Sequence, residues 1–165
     1  MKVRDAMTKR VGTCSPGSDL AEAAMVMWRQ DCGIVPVIQE NGREAIGVIT
    51  DRDICMAVAT RHRRAEEIRV DEVMCRRLFK VTPDDDLKTA LATMRRERVR
   101  RLLVVDPHGR IEGMLSLSDI ARAAARTPKH GQTGLTAEEV LSTYRAICTP
   151  AAQPPLVPPE LIPQF

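Results

Sequence analysis

"GVITDRDI", residues 47–54, closes an apolar run with a hydroxyl and places a carboxylate three positions later. "GMLSLSDI", residues 113–120, has the same outline: Gly47 answers to Gly113, Thr50 to Ser116, Asp53 to Asp119. The likeness extends well beyond these eight positions. A shift of 67 residues sets "VRDAM" (3–7) on "VDEVM" (70–74), Pro16 on Pro83, Leu20 on Leu87 and Met27 on Met94. It also sets "PVI" (36–38) on "LVV" (103–105) and Gly42 on Gly109, after which one residue is lost and the offset becomes 66. Matches in that order mean a duplication, and a repeat changes every later inference.

Each copy reads as the same series of elements. A short apolar stretch, "VGTCS" or "LFKVT", stops at Pro16 or Pro83 as a strand end does. A polar cap follows, Ser18 or Asp19 in one copy and Asp86 in the other. Behind it Leu20, Ala23, Ala24 and Met27, or Leu87, Ala90, Leu91 and Met94, mark one buried helical face. Two β-rich runs come next, "IVPVI" and "AIGVIT" or "LLVVD" and "IEGMLS", with Gly42 and Gly109 as the left-handed turn residues. A last helix starts at Asp51 or Leu117. The unit is β-α-β-β-α, and about sixty residues bury too little alone. The expected fold is therefore α+β, with two small sheets packed about a pseudo-twofold. The first repeat is placed at 1–61, a charged link "HRRAEEIR" at 62–69, and the second repeat at 70–126.

From residue 127 the character changes. "TPKHGQTG" is a linker, and "LTAEEVLSTYRAIC" predicts a short helix capped by Thr136 with Glu139 at its third position. Val140, Leu141, Tyr144 and Ile147 fall on one face of that helix. "TPAAQPPLVPPELIPQF" has six Pro in 17 residues and is expected to be extended or disordered.

Composition excludes several classes. Of 165 residues 44% are hydrophobic and 28% charged, as in ordinary soluble domains. Aromatics are only 2%, so the core must be aliphatic, and platforms for stacking single-stranded bases are lacking. Five cysteines, an odd number with no CxxC or Cys/His spacing, predict neither a metal site nor a disulfide framework. The charged N-terminus and the lack of any run near ~18 apolar residues predict a cytoplasmic protein without a membrane segment. Net charge is +3, too small to imply nucleic acid by itself. "MRRERVRR" (94–101) concentrates five Arg and reads either as a solvated helix end or as a nucleic-acid contact.

The repeated hydroxyl and carboxylate also have two readings. In one they only cap a helix: Thr50 or Ser116 caps, and Asp53 or Asp119 reaches back to the cap's own N–H. In the other, the free N–H donors and dipole of the helix start favour an anionic group, and the fixed carboxylate accepts bonds from a ribose diol. Two such acids at equivalent positions suit paired ligands between the copies. "TDRD" (50–53) could suggest acid–base or Mg²⁺ chemistry, but no nucleophile or His partner accompanies it, so no catalytic residue is expected.

"GVITDRD" and "GMLSLSD" resemble the G-h-x-[TS]-x-x-D signature (h, an apolar residue) of the cystathionine-β-synthase (CBS) domain family. "VRDAMT…SP", "VDEVM…TPDDDL" and "RVRRLLVVD" are similar to its opening segments, and the resemblance covers residues 1 to about 125. It implies a tandem pair, or Bateman module: a regulatory, non-enzymatic unit that binds AMP, ADP, ATP or S-adenosylmethionine and dimerises into a disc. The adenosyl nucleotide would be a regulatory ligand rather than a cofactor. Asp53 and Asp119 would hold ribose hydroxyls, with Thr50 and Ser116 assisting. Arg52 lies inside the same signature. Thr13, Lys80, Ile34, Val35, Pro36 and Leu102 match positions lining the adenosine pocket, and Arg100 and Arg101 match positions that touch phosphate. The first copy has Gly33 and Ile34 in their place, and the sequence leaves open which acid the arginines face. A homodimer is expected through the outward faces of the helices at 51–61 and 117–125, with output to an effector protein in trans. The alternatives are a ligand-free dimerisation module and a nucleic-acid binder.

Overall fold

The computed structural model describes residues 1–39, 42, 44–126 and 135–149. The linker expected at 127–134 and the Pro-rich tail beyond Thr149 lie outside the described residues, as do Asn41 and Arg43 beside Gly42.

In the first copy α1 (Leu20–Arg29) leads to β1 (Ile34–Ile38), β2 (Ala45–Thr50) and α2 (Asp51–Arg61). In the second, a two-residue strand β3 (Lys80–Val81) precedes α3 (Leu87–Glu97), β4 (Arg101–Val105), β5 (Ile111–Ser116) and α4 (Leu117–Arg126). β1 and β2 form one antiparallel sheet. In the other sheet β3 pairs parallel to β4, and β4 antiparallel to β5. Both hairpins slip register at the same place, between Val37 and Ile38 and between Val104 and Val105. Gly109 takes φ +78, as its turn requires.

The helices follow their sequence periodicity. Asp19 caps α1, accepting a bond from the Glu22 N–H at 2.8 Å. Leu20, Ala23 and Met27 are buried beneath it, and Leu87, Ala90, Leu91 and Met94 beneath α3. Two expectations change. Asp86 occupies the N-cap of α3 but its carboxylate pairs with Lys2 at 3.2 Å instead of capping. "VGTCS" forms no strand, only a bridge from Cys14 to Val37, and the Gly12 N–H is bound to Gln30 Oε1 at 2.7 Å.

The two cores are closed by exchange. Val3 lies in the aliphatic core of the second copy, with Leu87, Met94, Leu102, Leu115 and Ile120. Ile68, Val70 and Met74 lie in that of the first, with Leu20, Val35, Val37 and Ile49. Backbone bonds carry the swap: Val3 N–H to Asp85 O and Leu87 N–H to Met1 O, matched by Val70 N–H to Ser18 O and Leu20 N–H to Ile68 O. Thr8 bridges Met114 as Cys75 bridges Val48. The signature glycines stand at these crossings. A Cβ on Gly47 would lie 2.7 Å from Met74 Sδ, and one on Gly113 only 2.5 Å from Thr8 O. The segment at 62–69 is therefore more than a charged spacer, since Ile68 is fully buried. Ala45, Leu103, Val105 and Met114 fill the seam between the two sheets.

α5 (Ala137–Cys148) packs against α3 and α4. Thr136 and Glu139 form its capping box. Val140 and Ile147 dock on the second core, and Thr143 is buried between them. Leu141 and Tyr144, expected on that stripe, stay half exposed at 49% each.

Candidate functional site: two clefts between the copies

Thr50 ends β2 with extended backbone (φ −114°, ψ 162°), the conformation of an N-cap. Its N–H and hydroxyl donate to Asp53 Oδ2 at 2.9 and 2.7 Å, and the Asp53 N–H returns a bond to Thr50 Oγ1 at 3.2 Å. Ser116 and Asp119 repeat the pattern at 2.8, 2.6 and 3.1 Å. The capping reading thus holds in both copies, and it consumes one carboxylate oxygen. The second oxygen differs. Asp53 Oδ1 has no hydrogen-bond partner among the described residues, whereas Asp119 Oδ1 accepts from Arg122 Nη2.

Each acid opens on a cleft whose far wall belongs to the other copy. The first, about 290 Å³, sets Thr50, Asp53, Ile34 and Val48 against Leu78, Phe79, Val99, Arg100, Arg101 and Leu102, with Arg77, Cys75, Leu103 and Met114 completing it. The second, about 220 Å³, sets Ser116, Asp119, Arg122 and Met114 against Thr8, Arg10, Val11, Asp31, Cys32 and Ile34, with Gln30 and Arg101 at its margins. Leu78 and Val11, Arg77 and Arg10, Arg100 and Gly33 occupy equivalent places. Arg100 of the second copy therefore faces the acid of the first, and Arg101 borders both clefts.

Arg100 stands at the boundary between this cleft and α5. Its Nη2 donates to Cys148 Sγ at 3.3 Å, and its guanidinium carbon lies 5.9 Å from the centre of the Tyr144 ring. Arg77 stacks over Phe79 at 4.9 Å and pairs with Glu97 at 3.0 Å. A hydrogen bond from Arg96 holds the Glu97 carboxyl below the usual range, with the charges of Arg96 and Arg77 adding to it. "MRRERVRR" is thus divided: Arg96 and Glu97 join Arg77 in an ion-pair cluster, Arg95, Arg96 and Arg98 line a groove beside α5, and Arg100 and Arg101 form a cleft wall.

Of the expected site residues, the first cleft gathers Ile34, Thr50, Asp53, Arg100, Arg101 and Leu102, and the second gathers Ser116 and Asp119 and shares Ile34 and Arg101. Thr13, Val35, Pro36, Arg52 and Lys80 line neither. Val35 enters the first core and Pro36 is buried on the opposite face of β1, and Arg52 and Lys80 are exposed. Residues not expected are Arg77, Phe79 and Cys75 in one cleft and Arg10, Asp31 and Arg122 in the other; Cys75, Arg77, Phe79 and Arg10 lie on or just beyond the crossing segments, Asp31 follows α1 and Arg122 sits on α4. The duplication carried that signal, once each wall is assigned to the opposite copy. Among the described residues no His, Cys, Asp and Glu cluster could hold a metal ion, and no helix is long and apolar enough to cross a membrane.

A duplicated α+β unit with an acid-floored cleft on either side of its seam is a tandem-repeat module. The family model of the CBS domain matches residues 3–60 and 70–126, and the chain belongs to that family. It is similar to the CBS domain-containing protein YhcV of Bacillus subtilis, 34% identical over 119 residues that make up 72% of this chain and 82% of that protein. The CBS domain pair of MJ0100, solved with 5′-methylthioadenosine and S-adenosyl-L-methionine, has a TM-score of 0.67 at 24% identity, over 74% of this chain and 94% of that one. PAE2072 from Pyrobaculum aerophilum, complexed with AMP, has a TM-score of 0.66 at 21% identity, over 72% and 89%. At those identities the likeness is one of fold.

Proposed function

We propose that the chain is a regulatory sensor that binds an adenosine-containing ligand (AMP, ADP, ATP or S-adenosylmethionine) between its two repeats. In this reading it acts in the cytoplasm as a homodimer and signals to an effector protein in trans, without catalysing a reaction. The observation that carries it is the first cleft. A capped carboxylate keeps one oxygen unpartnered there among the described residues, with Arg101 at the start of the facing strand β4 and Arg100 just before it. The free oxygen suits a ribose diol and a guanidinium suits phosphate. The complexes of MJ0100 and PAE2072 with adenosyl compounds, on the same fold, support the ligand class. Five free thiols suit a reducing compartment.

A ligand-free scaffold is the second reading, favoured by the capping boxes, which account for both signatures without a ligand. Melting with each ligand separates the two. A compound at 100 times its Kd stabilises the native state by about 2.7 kcal/mol. The sensor reading expects such a rise with at least one adenosyl compound, smaller in Arg100→Ala/Arg101→Ala for phosphate-bearing ligands. Unchanged melting with all of them overturns it.

A further inference from the structure

The two clefts share a plan but offer a ligand different floors. In each, Oδ2 of the acid is committed to the cap, so only Oδ1 can take a ribose hydroxyl. In the first cleft that oxygen is unpartnered among the described residues, and Asp53 is half buried beside the opening. In the second, Arg122 reaches back one helical turn and donates to it, while the Asp119 side chain is only 8% exposed. The 66-residue offset sets Met56 where Arg122 stands, and a thioether has no proton to donate. The walls differ in the same sense. The offset of 67 sets Gly33 where Arg100 stands, and Asp31 adds a second carboxylate to the second cleft beside Arg10 and Arg101.

An exposed ion pair on a helix is ordinarily weak, because water competes for both partners. This one is not exposed on its acidic side. An incoming diol competes, as a weaker neutral donor, with a charged one already seated on the free oxygen of a nearly buried carboxylate, and with the side chain that carries it. We propose that Arg122 plugs the Asp119 cleft, so that the chain takes one adenosyl nucleotide, at Asp53. The plug rests on the sensor reading given above, and adds its stoichiometry.

Calorimetric titration of the full chain with AMP tests it. Wild type should bind one AMP per chain. Asp53→Ala should abolish binding, and Asp119→Asn, which keeps an acceptor for the cap, should leave it unchanged. Arg122→Met, which copies the first repeat at an exposed position, should raise the stoichiometry to two. One site in Arg122→Met overturns the plug and leaves the sensor reading standing. Two sites in wild type, or loss of binding in a folded Asp119→Asn, also overturn it. Silence in both wild type and Arg122→Met overturns the plug together with the sensor reading beneath it. Adenosine supplies a second readout: lacking phosphate, it should show the same change from one site to two.

Discussion

Thr50 and Asp53 meet through three hydrogen bonds, which makes the pair both a helix cap and the floor of a cleft. The two roles use different oxygens and can be separated. Thr50→Ala removes the cap's hydroxyl and should cost about 1 kcal/mol, or roughly 2–4 °C in melting temperature for a chain of this size. It leaves Asp53 Oδ1 in place, so AMP binding should fall far less than in Asp53→Ala. Equal loss of AMP affinity in both variants would show that the hydroxyl, not the free oxygen, is what matters. The caps were readable from the sequence, because Ser or Thr with an acid three residues on satisfies the same orphan N–H groups wherever a helix starts. The partner of the second oxygen was not. An acid followed three residues later by Arg can form a pair or send both groups to water, and only the packing around Asp119 selects the pair.

Among the elements, α1 and α3 were legible because each buries one clean stripe against a sheet. α5 was legible as a helix and misread as a surface. Its apolar positions span a wide arc, and contact with both α3 and α4 selects the edge through Val140, Thr143 and Ile147. Its attachment should depend on pH. The Thr136 N–H, at 2.7 Å, holds the Glu139 carboxyl below its ordinary value of 4.5; partial burial opposes this, and the Thr136 hydroxyl and Lys88 reinforce it. A depressed native value means the box contributes fully above 4.5 and loses its contribution as pH falls through the lower native value. Lys88, 3.5 Å from Glu139, ties the same group to α3. Acidification should therefore loosen α5, seen as a change in fluorescence of Tyr144, the one tyrosine in the chain. Glu139→Gln should lack that step; identical acid profiles would show the box does not hold the helix down.

For the whole molecule, the pseudo-twofold was legible from the 67-residue offset, but what breaks it was not. α5 covers the helix pair of the second copy, including part of the α4 face expected to dimerise. The corresponding pair in the first copy has no such cover among the described residues. Trp28 is 83% exposed there, Met25 46% and Met56 51%, around a groove of about 500 Å³ between α1 and α2. So much apolar surface in one place is uncommon on a monomer. The proposed homodimer should therefore form through α1 and α2 of the first copy. Light scattering should give twice the 18.3 kDa chain mass, and Trp28→Glu should halve it. A wild-type monomer at micromolar concentration would exclude this interface.

The exchange of opening segments puts chain order and core order out of step, and this sets a timetable for synthesis. The hydrophobic core around Leu20 and Ile49 has its last residue only when Met74 has been made. Met1 to Thr8 are made long before their backbone partners, Pro83, Asp85, Leu87 and Met114. At ordinary elongation rates Thr8 precedes its partner on β5 by roughly 5 to 20 seconds. That segment waits for the second repeat, and until the residues from Val81 to Ala123 have been made Val3 is an apolar side chain without a complete core to enter.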